Sequence, residues 1–146
     1  ASARRTHRRL GILFVDLDQF KDVNDTMGHD VGDLVLQQAA NRLRAAMRGV
    51  DVIVRQGGDE FVVLLYDITN ADDASQVAVK ILSRLSEPFL AAGTSLGLSA
   101  SIGIALYPDD GETPSLLLRR ADIAMYRAKE AGRADFRFFA QDGEVV

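Results

Sequence analysis

Cysteine is absent from the 146-residue sequence, which excludes a disulfide framework, thiolate chemistry and the usual thiolate zinc site. Histidine occurs only at His7 and His29, which argues against a histidine zinc cluster or an acid–base histidine pair. Only three residues are proline and 47% are hydrophobic, a composition that argues against disorder. No apolar run approaches the ~18 residues that a membrane helix needs. The basic opening Ala1–Arg9 precedes no long apolar segment and is not a signal peptide; it reads as the exposed end of a helix. Excess positive charge is also lacking. With 21 acids against 17 Lys plus Arg the net charge is -4, so DNA or RNA is excluded as a bulk partner. A small phosphorylated ligand neutralised by metal is compatible with that balance. The length suits one domain with a proper core.

The apolar run 10–15 lacks clean alternation and predicts a strand covered on both faces, ending in Asp16-Leu17-Asp18. Period two sends Asp16 and Asp18 to one side. Asp18 can be explained as the cap of a helix starting near Phe20; for Asp16, deeper in the strand, that explanation is weaker. A short helix runs from Phe20 to Met27, closed by Gly28, with Lys21 and Asn24 on one face. Asp30 is a credible N-cap for a second helix whose packed stripe is Val31, Leu34, Val35, Gln38, Ala39, Arg42 and Leu43. Asp33 stands in its first turn, where the helix dipole alone could account for a carboxylate.

Two β-branched runs, 51–54 and 62–66, flank Gly57-Gly58-Asp59-Glu60. The glycine pair predicts a tight reversal, with positive φ open to both glycines and room for a ring or phosphate against the backbone. Adjacent acids at a hairpin tip repel each other but suit a hard divalent cation and phosphate. An ordinary turn is the competing explanation. Beyond it, a polar loop spans 67–73, and a helix buries Ala74, Val77, Ala78, Ile81, Leu82 and Leu85. A minor hairpin turns at Gly93. Small residues at 101, 103 and 105 predict a strand with a helix packed closely on one side. Pro114 opens the last long helix, whose core side is Leu117, Leu118, Ala121, Met125 and Ala128; a short strand follows at 136–139.

The stretch Gly57-Gly58-Asp59-Glu60-Phe61 is the signature of the GGDEF family, the diguanylate cyclase domains. Asp16-Leu17-Asp18-Gln19-Phe20-Lys21, Asn24-Asp25-Thr26-Met27-Gly28-His29 and Gly32-Asp33 resemble its first strand and following helices. Ala121-Asp122-Ile123-Ala124-Met125-Tyr126, Ala128-Lys129 and Gly132-Arg133 resemble its last helix. The family's usual Asn after that Arg is Ala134 here. An Asp-x-Leu-Thr-Gly-Leu-x-Asn-Arg segment usually precedes the first strand and does not occur, so residues 1–146 read as a single GGDEF domain with a truncated N-terminal segment. The ending 138–142 resembles the join to an EAL phosphodiesterase domain.

The resemblance implies an α/β (α+β) fold: a central five-stranded, mixed, largely antiparallel sheet flanked by helices, akin to nucleotidyl cyclases and polymerase palms, with a minor β-hairpin. It implies a diguanylate cyclase that condenses two GTP into cyclic di-GMP and two pyrophosphates. Metal would be held by Asp16, Asp59, Glu60 and the Leu17 carbonyl, with Mg2+ or Mn2+ as cofactor, two ions per active site. Asp16, Asp59 and Glu60 are thus the catalytic set, Glu60 either as ligand or as base. Asn24, Asp33, Gly57 and Gly58 would hold guanine, and Phe20, Lys21, Lys129 and Arg133 would line the triphosphate. Arg48 and Asp51, five residues ahead of the glycine pair, match the inhibitory product site for cyclic di-GMP; a surface ion pair is the plain alternative. Catalysis would need a homodimer, since one domain holds one GTP, and an isolated domain would turn over weakly. Sensory and EAL domains are expected in a full-length protein, the domain itself cytoplasmic and the whole protein open to membrane anchoring. A catalytically silent GTP- or cyclic-di-GMP-binding regulator is the alternative from another class.

Overall fold

The computed structural model describes residues 9–140; the opening basic stretch and the end of the EAL-like join lie outside the described residues. Strand β1 (Arg9–Leu17) is followed by helices α1 (Phe20–Met27) and α2 (His29–Ala46). The hairpin β2 (Val52–Gly57) and β3 (Glu60–Ile68) leads to α3 (Ala71–Leu85). A small hairpin, β4 (Phe89–Ala91) and β5 (Thr94–Leu96), precedes β6 (Ala100–Tyr107), α4 (Pro114–Glu130) and β7 (Phe136–Phe138). The five-stranded sheet has the order β2-β3-β1-β6-β7, antiparallel except for the β6–β7 pair. This is the mixed sheet the sequence predicts.

Central β1 is buried along nearly its whole length because both faces are covered. Leu13, Val15, Val63 and Leu65 join the core beneath α2 and α3. Ile12, Phe14, Val62 and Ala105 meet Leu117, Ala121 and Met125 of α4 on the other face. Gly103 is required there: a Cβ at this position would overlap the Ala121 carbonyl and the Met125 backbone, so helix and strand touch main chain to main chain. Among the described residues, no helix is long and apolar enough to cross a membrane.

Several local expectations are corrected. Gly28, not Asp30, caps α2, and Asp30 lies in the first turn. Leu34 is 43% exposed while Leu36 is buried in its place, because the neighbouring β2–β3 hairpin widens the covered face of α2. The 67–73 stretch is mostly ordered: β3 continues to Ile68, and Asn70 caps α3 by accepting from the Asp73 N–H. Arg9 belongs to β1 rather than to a helix. Asp18 does not cap α1; that position is Gln19, in the left-handed region at φ 59°.

Candidate active site

The sheet brings the acids together. Asp16, at the C-terminal end of β1, pairs in register with Glu60 of β3 on one side and Ser101 of β6 on the other. The Leu17 N–H donates to the Asp59 carbonyl at 3.3 Å, which fastens the hairpin turn to the end of β1. Asp16 and Glu60, paired across adjacent strands, and Asp59, in the turn just before β3, therefore share one end of the sheet.

Asp16 is the most perturbed of them. Burial pushes its carboxyl from 3.8 up to about 7, aided by neighbouring Asp59 and only partly offset by Lys129. One oxygen, Oδ2, accepts Lys129 Nζ at 3.0 Å. The other, Oδ1, is buried and meets no donor, and the Asp59 carboxyl lies within hydrogen-bond reach of the Asp16 carboxyl, which helps hold the proton there. A buried acceptor left in that state is costly unless something else meets it. Glu60 is also raised, first by burial and then by the charges of Asp122 and Asp59. Among the described residues, no three His, Cys, Asp or Glu side chains gather closely enough to hold a metal ion alone.

Lys129 sits in the last turn of α4 and bridges Asp16 and Asp18, the latter at 3.3 Å. Asp18, 2% exposed, is a residue the sequence reading missed. Its oxygens accept Ser99 Oγ at 2.6 Å, Ser101 Oγ at 2.7 Å and the Ala134 N–H at 3.2 Å. It thereby ties the ends of β1 and β6 to the α4–β7 loop and holds Lys129 over the acids. Serines 99 and 101 at the start of a strand opposite a strand-end Asp were the available signal. Arg133, in the same loop at φ 66°, is exposed.

On the other side of the acids, Asn24 of α1 packs against Gly32 of α2. A Cβ on Gly32 would overlap the Asn24 amide and come within 3.1 Å of the Phe20 ring, so glycine at 32 sets how closely these helices approach. The Phe20 ring is 5% exposed and belongs to the core, which leaves the main chain at the start of α1 as the part of Phe20 able to meet a ligand. Lys21 and Asp33 are exposed, and Asp33 stands at the mouth of a groove of about 430 Å3 between α2 and β2, floored by Leu36, Ile53 and Phe61.

Neither Gly57 nor Gly58 takes a positive φ, because a bulge between Arg55 and Gly57 completes the reversal instead. What glycine supplies at 58 is space, since no atom lies within 4 Å of where a Cβ would be. Arg55, also missed, donates from Nε to the Gly58 carbonyl at 3.1 Å and to that of Gly57 at 3.4 Å.

Arg48 and Asp51 are closed on each other. Arg48 Nε and Nη2 donate to the two Asp51 oxygens at 3.0 and 2.8 Å, and Nη2 also reaches the Tyr66 carbonyl at 2.7 Å. The Asp51 side chain is fully buried. Burial alone would raise its carboxyl, but hydrogen bonds from Arg48 and Tyr66 outweigh that and hold it low. The two residues thus form an ion pair in which only the Arg48 side chain, 49% exposed, faces outward.

Comparison with known proteins agrees with this geometry. The family described as "Diguanylate cyclase, GGDEF domain" matches residues 1–135. The chain is 49% identical over 137 residues to the bifunctional diguanylate cyclase/cyclic di-GMP phosphodiesterase MucR of Pseudomonas aeruginosa, covering 94% of this chain and 20% of MucR. It therefore spans about a fifth of that relative's length. The crystal structure of the GGDEF domain of TpbB from the same organism superposes with a TM-score of 0.91 at 41% identity, covering 94% of this chain and 86% of that one. An EAL/GGDEF domain protein from M. capsulatus gives 0.87 at 44% identity, with 92% and 87% covered. By sequence along nearly its whole length, and by the sheet that carries its acids, the chain belongs to the diguanylate cyclase GGDEF-domain family.

Proposed function

We propose that this domain is a diguanylate cyclase, joining two GTP molecules into cyclic di-GMP with release of two pyrophosphates. The observation that carries the reading is Asp16: buried, pushed up to about 7, with one oxygen on Lys129 and the other unpartnered beside Asp59. A dication suits that place, because it would meet the unpartnered oxygen and neutralise the neighbouring carboxylates. The family generally uses a divalent metal; Mg2+ or Mn2+, two per site, is the proposal here. Asp16, Asp59, Glu60 and the Leu17 carbonyl would hold it, with the remaining positions filled by phosphate oxygens and water, as Mg2+ prefers. When bound, the metal neutralises the triphosphate and eases loss of the proton from the attacking 3′-hydroxyl.

The chain's own residues do the rest. Asn24 and Asp33 would accept the N1–H and N2–H2 donors of guanine, and an amide can also donate to the base edge. Gly58 leaves open backbone against which the nucleotide can lie. Lys21 and Arg133, both exposed cations, would line the triphosphate, and the Phe20 main chain opens α1. Lys129, held between Asp16 and Asp18, would line the phosphates with them. Glu60, with its carboxyl raised, would take a proton or serve as a ligand. A second domain must supply the other nucleotide, because the 3′-hydroxyl on one has to reach the α-phosphate held by the other. Feedback by cyclic di-GMP at Arg48 requires the Arg48–Asp51 pair to open.

Pyrophosphate release from GTP with Mg2+ tests the assignment. Asp59→Ala should abolish it and leave the circular dichroism spectrum unchanged, since Asp59 lies at a half-buried turn. Retained turnover would overturn the metal assignment. Nucleotide binding without pyrophosphate from the wild type, even at high protein concentration, would show a silent regulator instead.

A further inference from the structure

The groove between α2 and β2 holds two walls of opposite chemistry. Asp33 rises from α2 and Arg55 from β2, over a floor of Leu36, Ile53 and Phe61. Arg55 is fixed in place through Nε, which is spent on the Gly57 and Gly58 carbonyls. No hydrogen bond to its two terminal nitrogens occurs among the described residues, and the side chain lines the groove. Arg44, the other arginine of the groove, donates from Nη1 to Asn41 at 3.0 Å, alongside its own helix.

Guanine carries two kinds of edge side by side. N1–H and N2–H2 are donors, and O6 and N7 are acceptors. The Asp33 carboxylate satisfies the first pair, and the Asn24 amide has only one NH2 group to offer the second. An anchored guanidinium fork is the side chain best matched to O6 and N7. We infer that Arg55 is a specificity-determining residue for the purine, donating to O6 and N7 while Asp33 accepts from N1 and N2; this rests on the groove being the nucleotide site proposed above. Adenine reverses the pattern. Its N6 amino group would face the Arg55 donors, with N7 alone left to accept, and its bare N1 would face the Asp33 carboxylate. The same bonds from Nε to the glycine carbonyls then couple base recognition to the turn that carries Asp59.

Calorimetry with Mg2+ and three nucleotides that lack the 3′-hydroxyl, and so cannot condense, tests this: dideoxy-GTP, 7-deaza-dideoxy-GTP and dideoxy-ATP. The wild type should bind dideoxy-GTP roughly tenfold or more tighter than the 7-deaza form, and should reject dideoxy-ATP. Arg55→Ala should bind dideoxy-GTP and its 7-deaza form within about twofold of each other, whereas Arg44→Ala should keep the wild-type ratio. A purely structural role at the turn would weaken all three nucleotides alike and leave the ratio standing, and that result overturns the inference. So does a wild type that binds the 7-deaza form equally well, or loss of the ratio in Arg44→Ala. A wild type that binds none of the three overturns the nucleotide site itself.

Discussion

Asp16 carries a titration whose sign is opposite to that of a salt-bridged surface acid. The unfolded chain releases this proton near 3.8, the folded chain only near about 7. Between those values the native state binds more protons, so this group's contribution to stability is complete below about pH 4. It falls as pH rises and is lost above about 7. Glu60, also raised by burial, adds in the same direction. A divalent cation requires the ionised form and must displace the proton at low pH. Mg2+ should therefore raise the melting temperature clearly at pH 8 and little at pH 5.5, and Asp16→Asn should remove the difference. Equal shifts at both pH values would remove Asp16 from the metal site. A second prediction at this scale concerns Ala134, which sits at φ 53°, where a residue with a Cβ is strained by about 1–2 kcal/mol and Asn is better tolerated. The Asn usual to the family at this position thus has a backbone reason. Ala134→Asn should stabilise by roughly 0.5–1 kcal/mol, read as a higher urea midpoint at unchanged slope; no gain would mean the loop relaxes without it.

At the scale of elements, the helices are fastened by side chains that reach the main chain of a neighbour. Arg42 of α2 donates to the carbonyls of Arg84, Glu87 and Pro88, closing the C-terminal end of α3, and stacks at 4.0 Å over Phe89. Gln38, one turn earlier, bonds both the N–H and the carbonyl of Leu90. Arg42→Ala should cost about 2–3 kcal/mol, through lost charge-assisted bonds to three carbonyls and lost stacking, with Arg42→Lys recovering only part. A denaturation midpoint unmoved by Arg42→Ala would show that water replaces the guanidinium at no cost. These contacts mark where sequence reading stops. Periodicity disclosed α2, α3, α4 and where strands lie along the chain, because hydrophobic spacing repeats within one element. It placed Gln38 and Arg42 on the packed stripe of α2 but could not say that their polar ends hold α3 and β4. Likewise Asp16, Asp59 and Glu60 were legible as a motif. Asp18 was taken for a helix cap because its partners, Ser99, Ser101 and Ala134, lie some 80 to 116 positions away and only the folded sheet brings them near. Leu34 and Leu36 exchanged roles for the same reason, since one helix cannot reveal how wide a face its neighbour covers.

At the scale of the whole molecule, the acids, the bridging lysine and the groove between α2 and β2 all lie toward one end of a single sheet, and among the described residues only one such end exists. In the proposed reaction each nucleotide donates a 3′-hydroxyl to the other's α-phosphate, so one copy of this end holds half of what two condensations require. Nothing inside the described residues duplicates it. Holding the second nucleotide on a second copy turns an improbable encounter into an oriented one, and the gain depends on how often two copies meet. The specific rate should therefore rise in proportion to protein concentration while monomers dominate, then level off once sedimentation shows that dimers do. Mixing Asp59→Ala with a variant lacking guanine recognition, Asp33→Ala, should not restore turnover, because every mixed pair still has two defective halves. A specific rate independent of concentration, from a species that sediments as a monomer, would overturn the two-domain reaction for this chain.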